Sequence, residues 1–438
     1  MKIMRIANPI LLGALLLATA VHSGAQEEAS SPAAVQFSGA GWFQFGRVEH
    51  STDAIANNIN SYDKNWMQTS GINVGGRLKI DEHWEGAMGL GIVQVHLIRG
   101  ARSNGNWYAF YAPFVSEARV TYSTPLFGES DKFQLTAGLF SYGYNPQAHN
   151  LGQYLLRGYV YPGALVSGFG NIQGAMASYG RGRFKNDLIL KSESEDKPQF
   201  DFSLADVVTY EALPGLELGA GVNFYRLMPQ DSRMTSPGRD CESGLGPYAG
   251  ADQRNPCYVV DTSGGTPDTV TGSLAGTKLM ARFSFDPKKM FGLGGPWGKN
   301  DLVLYGEAAL LGVKDYPVYY DDPARRMPVM IGFNVPTLGA IDRLSVEVEY
   351  YASKNSSDNL AAQNGSWIPA INPNVDNARD DWKWSVQASK VIVGNLALSL
   401  QVANDHTRLG GSHDLATGVE AFTTPRDWYW TGKLAYFF

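Results

Sequence analysis

Cysteine is almost missing from this chain: Cys241 and Cys257 are the only two in 438 residues. That excludes a small disulfide scaffold and any thiolate cluster of the zinc-ribbon kind. Charge is thin too, at 18% Asp, Glu, Lys and Arg, with an acidic balance of -6. Without the two leader cations Lys2 and Arg5 the balance is -8, so a nucleic-acid partner is excluded. The seven histidines, His22 included, show no HExxH spacing. No G-x-S-x-G elbow is present. The segment 292–299 (GLGGPWGK) fails as a phosphate loop, because Leu293 breaks its spacing and Asn300 replaces the Ser/Thr that would hold magnesium. It reads as a turn. Beyond residue 25 no run of 18 apolar residues occurs, which excludes a spanning helix. No catalytic residue, metal or cofactor is therefore assigned.

The N-terminus does carry an apolar run, but a short one. Lys2 and Arg5 precede Ile10–Ala20 (ILLGALLLATA), and Ser23, Gly24 and Ala25 supply small residues for cleavage. Residues 1–25 are expected to be a cleaved secretory signal, cut before Gln26, with Ala18–Ala20 a second candidate site. The mature chain, 26–438, then works outside the cytoplasm. In an oxidising compartment Cys241 and Cys257, which share one polar stretch, are expected to form a local loop disulfide.

What the chain has in quantity is glycine (49 residues), aromatics (12%) and period-two alternation. Trp428, Trp430, Gly432, Leu434, Tyr436 and Phe438 form one face of the last segment, and Tyr429, Thr431, Lys433, Ala435 and Phe437 the other. Strands are predicted near 35–47, 70–80, 84–96, 115–124, 132–140, 172–180, 187–192, 200–210, 216–227, 276–285, 301–313, 327–335, 343–353, 381–391, 396–406 and 427–438. Those within 172–210 are the least regular, and fourteen or eighteen strands are the alternative counts. Each is near the length that crosses a bilayer at a tilt. Connections alternate between short (81–83, 212–215, 336–342, 393–395) and long (52–68, 99–112, 228–275, 352–380, 407–426). Two members of the short set, 127–131 and 286–300, are longer than expected. The predicted fold is all-β: a closed transmembrane antiparallel up-and-down barrel of about sixteen strands, with short periplasmic turns and long extracellular loops. Lipid offers a strand edge no hydrogen-bond partner, so such a sheet must close.

The leader, the strand phasing and the closing Leu434-Ala435-Tyr436-Phe437-Phe438 together resemble the Gram-negative outer-membrane porins. The resemblance implies that Phe438, Tyr436 and Leu434 serve as the signal read by the barrel assembly machinery. It also implies placement among outer-membrane lipid and lipopolysaccharide, and a homotrimer. Porins fold the connection after the fifth strand inward. Here that is 141–170, whose Asn150–Arg157 stretch is apolar and aromatic for a loop facing water. The acidic motif usual in general porins is absent from it.

Lumen-facing positions are predicted at Arg77, Lys79, Arg119, Lys278, Arg282, Glu117, Glu217, Glu307, Glu347 and Glu349. They either set a transverse field or simply keep the wall wet. Arg157 is the preferred constriction residue, its alternative being a structural ion pair to a wall glutamate. Tyr142, Tyr144, Tyr154, Tyr159 and Tyr161 either stack on solutes or pack the loop. Trp382, Trp384, Trp428 and Trp430 are assigned to an interfacial girdle. The resulting expectation is a water-filled channel passing small hydrophilic solutes. The alternatives are a channel specific for sugars or aromatic compounds, and a surface receptor or adhesin acting through 228–275.

Overall fold

The computed structural model describes residues 34–51, 63–64, 66–97, 108–128, 130–156, 171–193, 201–228, 239–240, 257–261, 268–271, 276–313, 323–351, 382–411, 414–420, 422 and 424–438. The expected leader and both partners of the Cys241–Cys257 pairing fall on residues outside the description or at its edge, and that bond is not described.

Sixteen strands close into one antiparallel barrel, each paired with its sequence neighbours and the last with the first. They are β1 (Ala34–His50), β2 (Trp66–Lys79), β3 (Trp84–Leu97), β4 (Tyr108–Thr124), β5 (Asp131–Ser141), β6 (Asn171–Arg181), β7 (Phe184–Glu193) and β8 (Asp201–Leu213). Then follow β9 (Leu216–Met228), β10 (Gly276–Phe285), β11 (Leu304–Leu310), β12 (Val329–Asn334), β13 (Arg343–Tyr350), β14 (Trp382–Val393), β15 (Leu396–Asn404) and β16 (Trp428–Phe437). All sixteen segments expected from alternation are strands. The long connection 286–303 holds a short helix, α1 (Pro287–Phe291), capped by the Asp286 side chain, which explains its length. Short strands at 239–240, 257–261, 268–271, 408–411 and 414–420 lie outside the barrel sheet.

Alternation fixes which side each residue takes. Ile72 and Val74, Met88, Leu90 and Ile92, Leu398 and Leu400 point outward and stay exposed. On the opposite face of the sheet, Thr121, Thr136, Ser178, Asp187, Lys278, Glu307 and Glu347 point inward and are buried. An apolar exterior over a polar interior is the reverse of a soluble protein and suits a bilayer. Aromatic pairs gather at both rims: Trp84 with Tyr122 (4.9 Å between centroids) beside the 80–83 turn, and Tyr350 with Trp382 (4.8 Å) at the other end. Trp66, Trp430 and Phe45 join the latter rim, Trp430 lying 6.1 Å from Trp66 and 5.6 Å from Phe45. Girdles of this kind belong at the headgroup level.

The seam between β1 and β16 is continuous from Ala40–Phe437 to His50–Trp428, with one irregularity near Val48. Beyond it, Gly39 and Phe438 exchange two backbone hydrogen bonds of 2.8 and 3.0 Å. The terminal residue is thus built into the closure, and Leu434, Tyr436 and Phe438 all lie on the exposed outer face.

Candidate functional site

Inward-facing side chains of β11 to β14 form two rows across the sheet. Glu307, Met330, Glu349 and Lys383 are successive partners in one row; Tyr305, Gly332, Glu347 and Ser385 make up the next. Gly332 has a packing role: a Cβ there would overlap the Tyr305 ring, so only glycine lets that ring lie across β12 toward Glu347. The Tyr305 hydroxyl then donates to the Glu347 carboxylate at 2.9 Å.

The chain leaving β5 folds back onto these rows. Backbone N–H groups of His149, Asn150 and Leu151 donate to Glu347 at 2.7, 2.9 and 2.9 Å. Glu307 accepts the amides of Gln153 (3.0 Å) and Tyr154 (2.8 Å), the Asn145 side-chain amide (3.2 Å) and the Tyr144 hydroxyl. A loop inside a barrel has no ladder to satisfy its N–H groups, and each left bare would cost about 1–3 kcal/mol. Ionised carboxylates, which only accept, are suited to the task. Gly152 (φ 85°) and Gln153 (φ 61°) take successive left-handed conformations that converge two amides on Glu307, an anion-binding concavity in the backbone.

Further contacts extend the grip. The Tyr154 hydroxyl donates to Glu349 at 2.8 Å, and His406 Nε2 lies 2.6 Å from the other oxygen of that carboxylate. Asn150 donates to Asp405 at 2.6 Å, and Asn223 donates to the Leu155 carbonyl at 2.8 Å. Beneath the polar contacts Tyr144, Ala148, Leu151, Leu155 and Leu156 pack into one apolar cluster with Ile172, Ile189, Val207 and Met280 of the wall. Tyr142 donates to Asp187 at 2.9 Å. Burial and the Asp187 charge push its phenol far above the usual range, so it stays a neutral donor. His149 goes the other way: burial, then the positive charge of Arg343, brings its pKa down to about 3.

The other candidate residues fall into different settings. Glu307 and Glu347 face inward as expected, yet both are covered by the loop, and Tyr154 is wholly buried with them. Arg282 is held by Glu217 (2.8 Å) and Thr209 (2.9 Å). Glu117 and Arg119 form an ion pair on β4, and Arg119 also reaches Glu85 at 3.0 Å and Thr121 at 2.6 Å. Arg77 and Lys79 lie on the inner face of β2, in register with Ala87 and Glu85, and both are exposed. Arg157, Tyr159 and Tyr161 lie outside the described residues. His406, Asp405 and Asn223 were not singled out from the sequence, since an isolated polar residue on an inward face carries no sign of what covers it. Among the described residues no group of three or more His, Cys, Asp or Glu could hold a metal ion.

No family profile and no curated relative matches the chain. Solved structures do align with it. A triple mutant of Rhodopseudomonas blastica porin is 9% identical, with a TM-score of 0.41, over 92% of this chain and 100% of that one. Another Rh. blastica porin variant is 10% identical, with a TM-score of 0.42 over the same shares.

Proposed function

We propose that this chain is an outer-membrane channel for passive diffusion of small hydrophilic solutes, narrowed by the inward loop that follows β5. The supporting observation is the contrast between two stretches of inner wall. From β11 to β13 the loop covers the inward side chains, whereas on β2 the inward-facing Arg77 and Lys79 are exposed to water. Charged side chains facing water behind a lipid-facing apolar surface imply an aqueous interior. Such an interior removes the desolvation penalty that a polar solute would meet in hydrocarbon. Export by residues 1–25, insertion by the barrel assembly machinery through the Leu434, Tyr436 and Phe438 face, and contact with lipopolysaccharide belong to the same reading. So does a trimeric state.

Refolded protein in a planar bilayer tests the proposal. A stable single-channel conductance is expected, and it rises when 142–156 is shortened. Absence of conductance in both forms would refute it and favour an occluded barrel that binds a partner at its surface.

A further inference from the structure

Arg343 opens β13 and shares the inward face with Ser345 and Glu347. It is half-buried, and its contacts are sparse for a guanidinium with five donors. Nη2 donates to Gln387 at 3.3 Å, and Nε is buried without a partner. Arg119, Arg226 and Arg282 each sit within 3.0 Å of a carboxylate, but Arg343 has no ion pair among the described residues. Of the two acids that neighbour it along the chain, Glu347 acts on Arg343 through its charge but makes no hydrogen bond or close ion pair to it, and the oxygens of both acids have other partners. Glu347 already takes three loop amides and the Tyr305 hydroxyl, and Asp342 accepts the Val391 amide at 2.6 Å.

Two more unsatisfied groups belong to the same neighbourhood. Asn334 pairs in register with Ser345, donates its amide to Gln147 of the loop at 3.2 Å, and leaves Oδ1 buried and unpartnered. His149 of the loop has its ring 6.4 Å from that of Tyr305 and its Nε2 buried and unpartnered. Its low pKa, to which the Arg343 charge contributes, keeps the ring neutral at physiological pH. A neutral ring does not compete with Arg343 for an anion and can turn an N–H toward one.

We propose that Arg343, with His149 and Asn334, forms a binding station for a small carboxylate-bearing solute beneath the inward loop. The guanidinium fork matches a carboxylate in charge and in plane. Asn334 Oδ1 adds an acceptor for a hydroxyl of the same solute. The station deepens the channel reading and rests on it for the route by which the solute arrives.

Succinate is a suitable probe, titrated calorimetrically into the detergent-solubilised full chain and applied as a blocker in the bilayer. Saturable binding is expected, weakened about ten- to a hundredfold in Arg343→Gln by loss of a charge-assisted contact. Arg343→Lys is expected to fall between the two, keeping the charge but not the fork. An unheated gel shows whether each variant keeps a folded barrel. Absence of saturable binding to the wild type, or equal affinity in a folded Arg343→Gln, would overturn the station. Wild-type binding without conductance would uphold the station and remove the channel.

Discussion

Glu307→Ala is the substitution whose consequences the geometry specifies most fully. The side chain collects four donors, two of them the backbone amides of Gln153 and Tyr154. Truncation leaves both amides buried without acceptors, at about 1–3 kcal/mol each. Taking about 3 kcal/mol as a conservative total, the docking equilibrium of the loop shifts by roughly a hundredfold. The barrel itself loses little, because Glu307 pairs with Arg282 and Met330 through backbone groups that the substitution does not touch. Hydrogen exchange followed by mass spectrometry separates the two effects. Peptides covering 145–156 are expected to exchange about a hundredfold faster, and peptides of β11 at the wild-type rate. Single-channel conductance rises in parallel. Glu217→Ala serves as the control, since Glu217 bonds Arg282 on the wall. If exchange across 145–156 stays within about threefold of wild type in a folded Glu307→Ala barrel, the claim that the carboxylate holds the loop is wrong.

Two other perturbations probe the docked loop from its own side. Gly152→Ala places a Cβ 2.7 Å from Met330 Cε and 3.2 Å from the Glu307 carboxylate, at a φ of +85°. The strain, about 1–3 kcal/mol, should loosen the loop and raise conductance without unfolding the barrel; an unchanged exchange pattern would contradict this. His149 supplies a pH dependence. Its pKa is lowered from 6.5 to about 3 in the docked loop, so a released loop takes up a proton that the docked loop refuses. Docking is therefore at full strength above pH 6.5 and weakens as pH falls below it, measured as faster exchange across 145–156 after correction for intrinsic rates. His149→Gln should reduce that dependence between pH 6.5 and 5.

The strands were legible because the bilayer imposes a period of two, and the inward and outward assignments on β2, β11 and β13 follow from it; on β4 a bulge at Ser116 shifts the phase, so Val115 faces outward although Glu117, two residues on, faces inward. Regularity was weakest across 172–210, for a physical reason. Ile172, Ile189, Ala205 and Val207 face inward but are apolar, because they pack the loop instead of meeting water. Those residues are the loop's footprint on the wall, whereas the breaks in alternation fall at 180–186, where β6 turns into β7 through Gly182 at a φ of 57°, and at 192–198, of which 194–198 lie outside the described residues. Period alone could not reveal that Glu307 and Glu347 lie beneath the loop, since it gives the side of a sheet and says nothing of what rests on it. The aromatic content of 150–156 did point inward, and Tyr154 and Leu155 are wholly buried. The partners of that segment, Asn223, Glu349 and Asp405, are brought to it only by closure of the whole sheet.

That last dependence has a consequence for assembly. The loop follows the fifth strand, but the groups that receive it are translated much later: Glu307 is 153 residues beyond Tyr154, Glu349 is 195 beyond it, and Asp405 is 255 beyond Asn150. Contacts of such sequence separation form late. A chain that stops before β11 holds the loop's amides with nothing to accept them. Docking of the loop on these carboxylates therefore requires the strands that carry them, β11 and β13, to be in place.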